Sequence, residues 1–142
     1  MPKIYERKTL GLELAEEITH AAVAHAKSKD QALVIAIVDD SGIQKAMVRM
    51  DGAHLISIQV AIDKAYTAAG YGLSTDAWYD FAKGDEPIAF GAVGGIDRLV
   101  TLGGGYPIMI DGSLVGGIGV SGGHYTDDMA VAQAGLQVLS NL

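Results

Sequence analysis

Two short turn signals limit what this chain can fold into. Asp39-Asp40-Ser41-Gly42 divides the apolar, β-branched run Ala32–Val38 from Ile43–Met50, and Asp111-Gly112 divides Tyr106–Ile110 from Leu114–Val120. Aspartate and glycine accept the backbone conformations that tight hairpins need. Strands joined this closely must pair antiparallel, so a doubly wound parallel sheet is excluded.

Helical spacing supplies the rest of the element order. The spacing predicts an amphipathic helix from about Thr9 to Ser28, with Leu10, Leu14, Ile18, Ala21, Ala22 and His25 on one side and Glu13, Glu16, Glu17 and His20 displaced from it. A second helix is predicted to start at Asp51-Gly52-Ala53, with Asp51 as its N-cap and Leu55, Ile58, Ile62, Ala65 and Ala69 on its apolar face. From Tyr71 to Asp97 the periodicity is lost, except for one or two helical turns over Thr75–Ala82 that turn Trp78 and Phe81 inward. A connection of that length is a functional loop or a covering flap. Arg98–Leu102 reads as another strand, and a terminal helix presents Met129, Ala132, Leu136 and Leu139 to the core. No linker, repeat or low-complexity tract interrupts residues 1–142, so the expectation is one α+β domain with an antiparallel sheet of about five strands covered by helices.

Composition narrows the function classes. The chain is 49% hydrophobic, its mean hydropathy is +0.26, and no apolar run approaches the roughly 20 residues of a membrane span. The opening Met1–Lys8 lacks the apolar core of a secretory signal, so the expected compartment is the cytoplasm. The absence of cysteine excludes disulfides, thiolate nucleophiles and cysteine-ligated metals. A net charge of −7 argues against a nucleic-acid partner, since nucleic-acid binders carry a basic stripe.

Candidate chemistry gathers around glycine. Ser121-Gly122-Gly123 leaves an apolar strand and leads into a helix opening at Thr126-Asp127-Asp128, so loop amides and the positive end of the helix dipole favour a carboxylate or carbonyl. The competing reading is purely structural: Thr126 or Asp127 caps the helix, and the glycines allow close packing. Gly103, Gly104 and Gly105 form a second such place, with neither the G-x-G-x-x-G nor the P-loop pattern. Asp51 and Lys64 form another constellation, in which a lysine beside an apolar stripe either has a lowered pKa and acts as base or anion clamp, or lies along the helix edge. The four histidines are dispersed and lack H-E-x-x-H spacing; His54 and His124 begin helices, where a neutral imidazole acts as ligand or base. Glu13, Glu16, Glu17 and His20 read as a solvated acidic face rather than a metal site. Ser121 lacks the G-x-S-x-G context of a hydrolase nucleophile.

The motifs Arg49–Ala53, the helix around Lys64, Leu102–Ile108, and Val115–Gly123 followed by Asp127-Asp128 together resemble the GlcG/HbpS-like family, which includes the C-terminal domain of PduO-type corrinoid adenosyltransferases. The resemblance covers nearly the whole chain. It implies a profilin-like α/β/α arrangement, homo-oligomers, and a place in operons for small-molecule catabolism, with haem bound by some members. Arg49, Asp51, Gly52, Lys64, Gly103–Gly105, Pro107, Ser121–Gly123 and Asp128 are the matching positions. Haem is implied by that resemblance, with His25 and His54 as candidate ligands, and no single histidine is matched to a family ligand.

Two functions follow. One is an accessory protein binding a small organic acid or haem, with Arg49, Gly103–Gly105 and Ser121–Gly123 lining the site. The other is a cofactor-free isomerase, tautomerase or lyase, with Lys64, Asp51 and His124 as acid–base groups and loop amides stabilising an enolate.

Overall fold

A computed structural model describes residues 1–142. The elements are α1 (Leu12–Ser28), β1 (Val34–Asp39), β2 (Gln44–Arg49), α2 (Ile56–Tyr71), α3 (Thr75–Lys83), β3 (Gly105–Ile110), β4 (Ser113–Ser121) and α4 (Tyr125–Leu136). A short π-helical turn, Ile88–Ala92, and a 3-10 turn, Gln137–Asn141, complete them. The strands form one antiparallel sheet in the order β2-β1-β4-β3. α1 and α4 pack together on one face of the sheet, and α2 packs on the other.

Strand alternation decides which residues meet which layer. Ile35 and Ile37 of β1 and Ile118 and Val120 of β4 join Ile18 and Ala22 of α1 and Val131 and Ala132 of α4 in the main core. Val34, Ala36 and Val38 point the other way, toward Ala61, Ala65 and Ala69 of α2. On that second face β4 has almost no side chains. A Cβ on Gly119 would run into the Ala61 carbonyl, and one on Gly117 into the Ala65 carbonyl. The helix backbone therefore rests directly on the strand backbone, a close approach only glycine permits.

The sheet has four strands, not about five. Arg98 has φ +66°, which breaks an extended run, and the neighbouring backbone is satisfied by a side chain instead of a ladder. Thr67 Oγ1 donates to the Arg98 carbonyl at 2.9 Å and accepts from the Val100 N–H at 3.0 Å. Two further expectations are corrected. Residues 9–11 are not helical, because Leu10 is buried and its N–H donates to the Val115 carbonyl at 3.0 Å. Asp51 does not cap α2: Gly52 has φ +91°, a turn closes through Ala53, and the helix starts only at Ile56, beyond reach of the Asp51 carboxylate. α3 forms where helical turns were expected and buries Trp78, while Phe81 is exposed.

Gly119→Ala should destabilise the protein by about 3 kcal/mol, the upper end for overpacking, because the obstacle is backbone. Gly70→Ala, exposed in α2 with nothing near its Cβ position, should instead stabilise by roughly 0.5–1 kcal/mol. Urea unfolding of both variants checks the contrast.

Candidate functional site

The densest polar node is buried between the layers. Lys64 is 1% exposed; from α2 its Nζ donates to the Val120 carbonyl at 2.8 Å and to Asp128 Oδ2 at 3.1 Å. Asp128, in the first turn of α4 and 2% exposed, accepts the Gly123 N–H on its other oxygen at 3.0 Å. Gly104, with φ +125°, provides the notch through which the lysine passes: a Cβ there would lie 2.9 Å from Nζ and 2.6 Å from the Val120 oxygen. Burial pushes the Lys64 pKa down and the Asp128 pKa up, and each shift is opposed by the other's charge and hydrogen bond. Each charge is thus held in place by its partner.

This node changes the meaning of the glycine loop. The Gly123 amide, expected to meet an outside carboxylate, meets Asp128 instead. Gly103 packs against Met129 and Tyr125, and the Gly105 N–H donates to Thr75 Oγ1 at 2.9 Å, docking α3 on the loop. Ser121 is buried at the end of β4. His124 is the N-cap of α4: its Nδ1 accepts from the Thr126 N–H at 3.3 Å, and its ring is exposed.

Lys64, Asp51 and His124 are not brought together. Asp51 lies on the exposed turn after β2 beside Arg49, separated from β4 and the Lys64–Asp128 node by β1, and the three line no common cleft. His25 is half-buried on α1 and His54 is exposed before α2; neither lines a principal cleft. Glu13, Glu16, Glu17 and His20 are all exposed.

Two clefts of different character flank the domain. One, of about 400 Å³, lies between α3, residues 101–103 and α4. Tyr79, Leu102, Tyr125 and Met129 give it apolar walls, and Asp76 and Asp80 are its charged groups. Sequence reasoning missed all of these as site residues except that Met129 was placed on the inner face of its helix. Its neighbour Tyr106 has a phenol pKa pushed up to about 12 by burial and by the Asp76 charge, against a hydrogen bond from Gln133. The other cleft, of about 470 Å³, lies between the end of α1 and the end of β2. There Lys27 and Arg49, neither of them in an ion pair, line the cleft together with Asp30 and Asp51 and beside Val23, Val48 and Met50.

An antiparallel four-stranded sheet between helical layers, with glycine loops closing on a buried Lys–Asp pair, defines the class of domain. The sequence model of the family described as haem degrading protein HbpS-like matches residues 10–137, and the chain belongs to that family. Corrinoid adenosyltransferase PduO of Citrobacter freundii is 33% identical over 137 residues, which is 93% of this chain and 39% of PduO. This chain therefore spans about two fifths of that relative. Among solved structures, protein ORFY of Klebsiella pneumoniae superposes with a TM-score of 0.93 at 27% identity, covering 100% of this chain and 98% of its own. The PduOC:heme complex superposes with a TM-score of 0.83 at 33% identity, covering 91% of this chain and 94% of its own.

Haem, which the family implies, can be tested against the residues of each cleft. A tetrapyrrole brings carboxylates, for which the Asp76–Asp80 cleft holds no cation, whereas the second cleft offers Lys27 and Arg49 alongside Asp30 and Asp51. In the second cleft Met50 supplies a thioether, a known axial ligand type, and no histidine is present. These residues fit the carboxylate edge and apolar body of such a ligand.

Removing one partner of the buried pair should be severe. Asp128→Ala should lose about 3–5 kcal/mol of stability, whereas the double variant Lys64→Met with Asp128→Leu should recover most of it; urea unfolding reads both. Tyr106 gives a pH prediction. Its folded pKa lies above the ordinary 10, so its contribution is present below pH 10 and is lost as pH rises toward 12. Ultraviolet titration should show one phenol ionising late, and Tyr106→Phe should remove that step and flatten the fall in stability between pH 10 and 12.

Proposed function

We propose that the protein is a small-molecule-binding accessory component of a catabolic operon, with haem or a related carboxylate-bearing tetrapyrrole as its ligand. The observation that carries this reading is the Lys27–Arg49 cleft, where two cations without ion-pair partners stand among apolar side chains, with Asp30 and Asp51 in the same lining. Support comes from membership of the HbpS-like family and from the haem bound in the PduOC complex. Lys27 and Arg49 take the ligand carboxylates by charge-assisted hydrogen bonds. Val23 and Val48 exclude water from one face of the ring, and Met50 orients the bound group through its sulfur. When bound, haem supplies an iron centre whose reactivity the surrounding polarity tunes. Homo-oligomers and a cytoplasmic setting belong to the same proposal. The first is supported by exposed apolar side chains along one segment, among them Tyr71 at 66% and Phe90 at 84% exposure.

The reading of the chain as a cofactor-free enzyme gains nothing from the geometry, because Lys64 is buried in an ion pair and its supposed partners are elsewhere.

Hemin titration followed by the Soret band tests the proposal, with light scattering of the same samples reporting the assembly state. A saturable band shift is expected, and Arg49→Ala with Lys27→Ala should weaken binding by about tenfold or more, as expected when hydrogen bonds to a charged group are lost. His25→Ala and His54→Ala should keep the shift, since neither lines the cleft; loss of the band in either variant would move the site to that histidine. Absence of any shift with the parent protein would remove haem as ligand.

A further inference from the structure

We propose that the cleft between α3 and α4 is a binding site for a small organic ammonium ion, separate from the Lys27–Arg49 cleft. Its lining holds two carboxylates, Asp76 and Asp80, and no cationic side chain. Two of its walls are the rings of Tyr79 and Tyr125, and a third is the Met129 thioether. Carboxylate, aromatic faces and polarizable sulfur together favour an organic cation over a carboxylate or a neutral molecule.

Asp76 is the anchor. Its Oδ1 is buried and accepts no hydrogen bond, whereas Asp128, Asp63 and Asp40 are paired with Lys64, Arg98 and Arg7. A buried carboxylate oxygen without a donor is unfavourable until a cation or donor approaches. The mouth of the cleft already shows the interaction. Lys83, exposed and tethered one turn away, places its Nζ 3.1 Å from Asp80 Oδ1 and 5.5 Å from the centre of the Tyr79 ring. It holds one carboxylate and one ring face with an ammonium group, and it leaves Asp76 unpaired. A free ammonium ion that enters the cleft replaces Lys83 on Tyr79 and adds the contact to Asp76. The net charge of −7 raises the local concentration of such cations.

Isothermal titration calorimetry with choline, against the neutral isostere 3,3-dimethylbutan-1-ol, tests this. Choline should bind saturably, and the alcohol at least about tenfold more weakly, because it keeps the shape and loses the charge. Asp76→Asn should weaken choline by about tenfold, because it removes a carboxylate charge that attracts the trimethylammonium group. Tyr79→Leu should also weaken it, and stands in for Asp76→Asn if that variant does not fold. Lys83→Ala, which frees Asp80 and the Tyr79 ring, should tighten binding. The proposal is overturned by equal binding of the alcohol, by no saturable binding of choline, by an Asp76→Asn variant that binds like the parent, or by weaker binding in Lys83→Ala.

Discussion

The contact on which the rest of the structure depends is backbone against backbone, where α2 lies on β4. The carbonyls of Ala61 and Ala65 occupy the space where side chains of residues 119 and 117 would stand, and the Lys64 carbonyl faces Gly105 in the same way. With the helix this close, Lys64 has no route to solvent along the sheet. Its chain turns instead through the notch at Gly104 and ends on Val120 and Asp128. The buried ion pair is therefore a consequence of the glycine bed, and it joins α2 to α4 around the end of the sheet. Isolated buried charges are unfavourable, so the pair specifies how the two helical layers sit at that end more than it adds stability.

The acidic cleft has a related origin. Had residues 98–102 formed a strand, their backbone would have been consumed in a ladder. Thr67 takes the carbonyl of Arg98 and the N–H of Val100, and Thr75 takes the N–H of Gly105, so two hydroxyls satisfy this backbone, and the segment rejoins β4 only where the Gly104 carbonyl accepts the Val120 N–H. Arg98 is fixed in its left-handed conformation by an ion pair to Asp63 at 2.9 Å and by stacking over Tyr66 at 3.8 Å. The space left between this segment, α3 and α4 is the cleft that Asp76 and Met129 line.

These particulars show which parts of the molecule a sequence makes legible. Hairpin turns and alternating β-branched runs depend on neighbours in the chain, and β1, β2, β3 and β4 appear where those patterns place them. The glycines of β4 were visible as sites of close approach, but what approached them was a helix backbone and not a ligand. Lys64 was read as a residue beside an apolar stripe because its partner is 64 positions away and first-turn acids such as Asp128 commonly just complement a helix dipole. The strand expected at Arg98–Leu102 failed for a similar reason, since nothing local announces that Thr67 will satisfy its backbone.

Charge distinguishes the two clefts. One holds Asp76 and Asp80 and no cation, and the other holds Lys27 and Arg49 together with Asp30 and Asp51. The clefts belong to different layers of the fold: one lies between α1 and β2, the other where α3 and α4 meet the glycine loop. The second is one side chain removed from the buried pair, because Met129, which lines it, follows Asp128 in α4 and packs on Gly103 beside the Gly104 notch. The acidic cleft and the buried pair thus draw on adjacent residues of the first turns of α4.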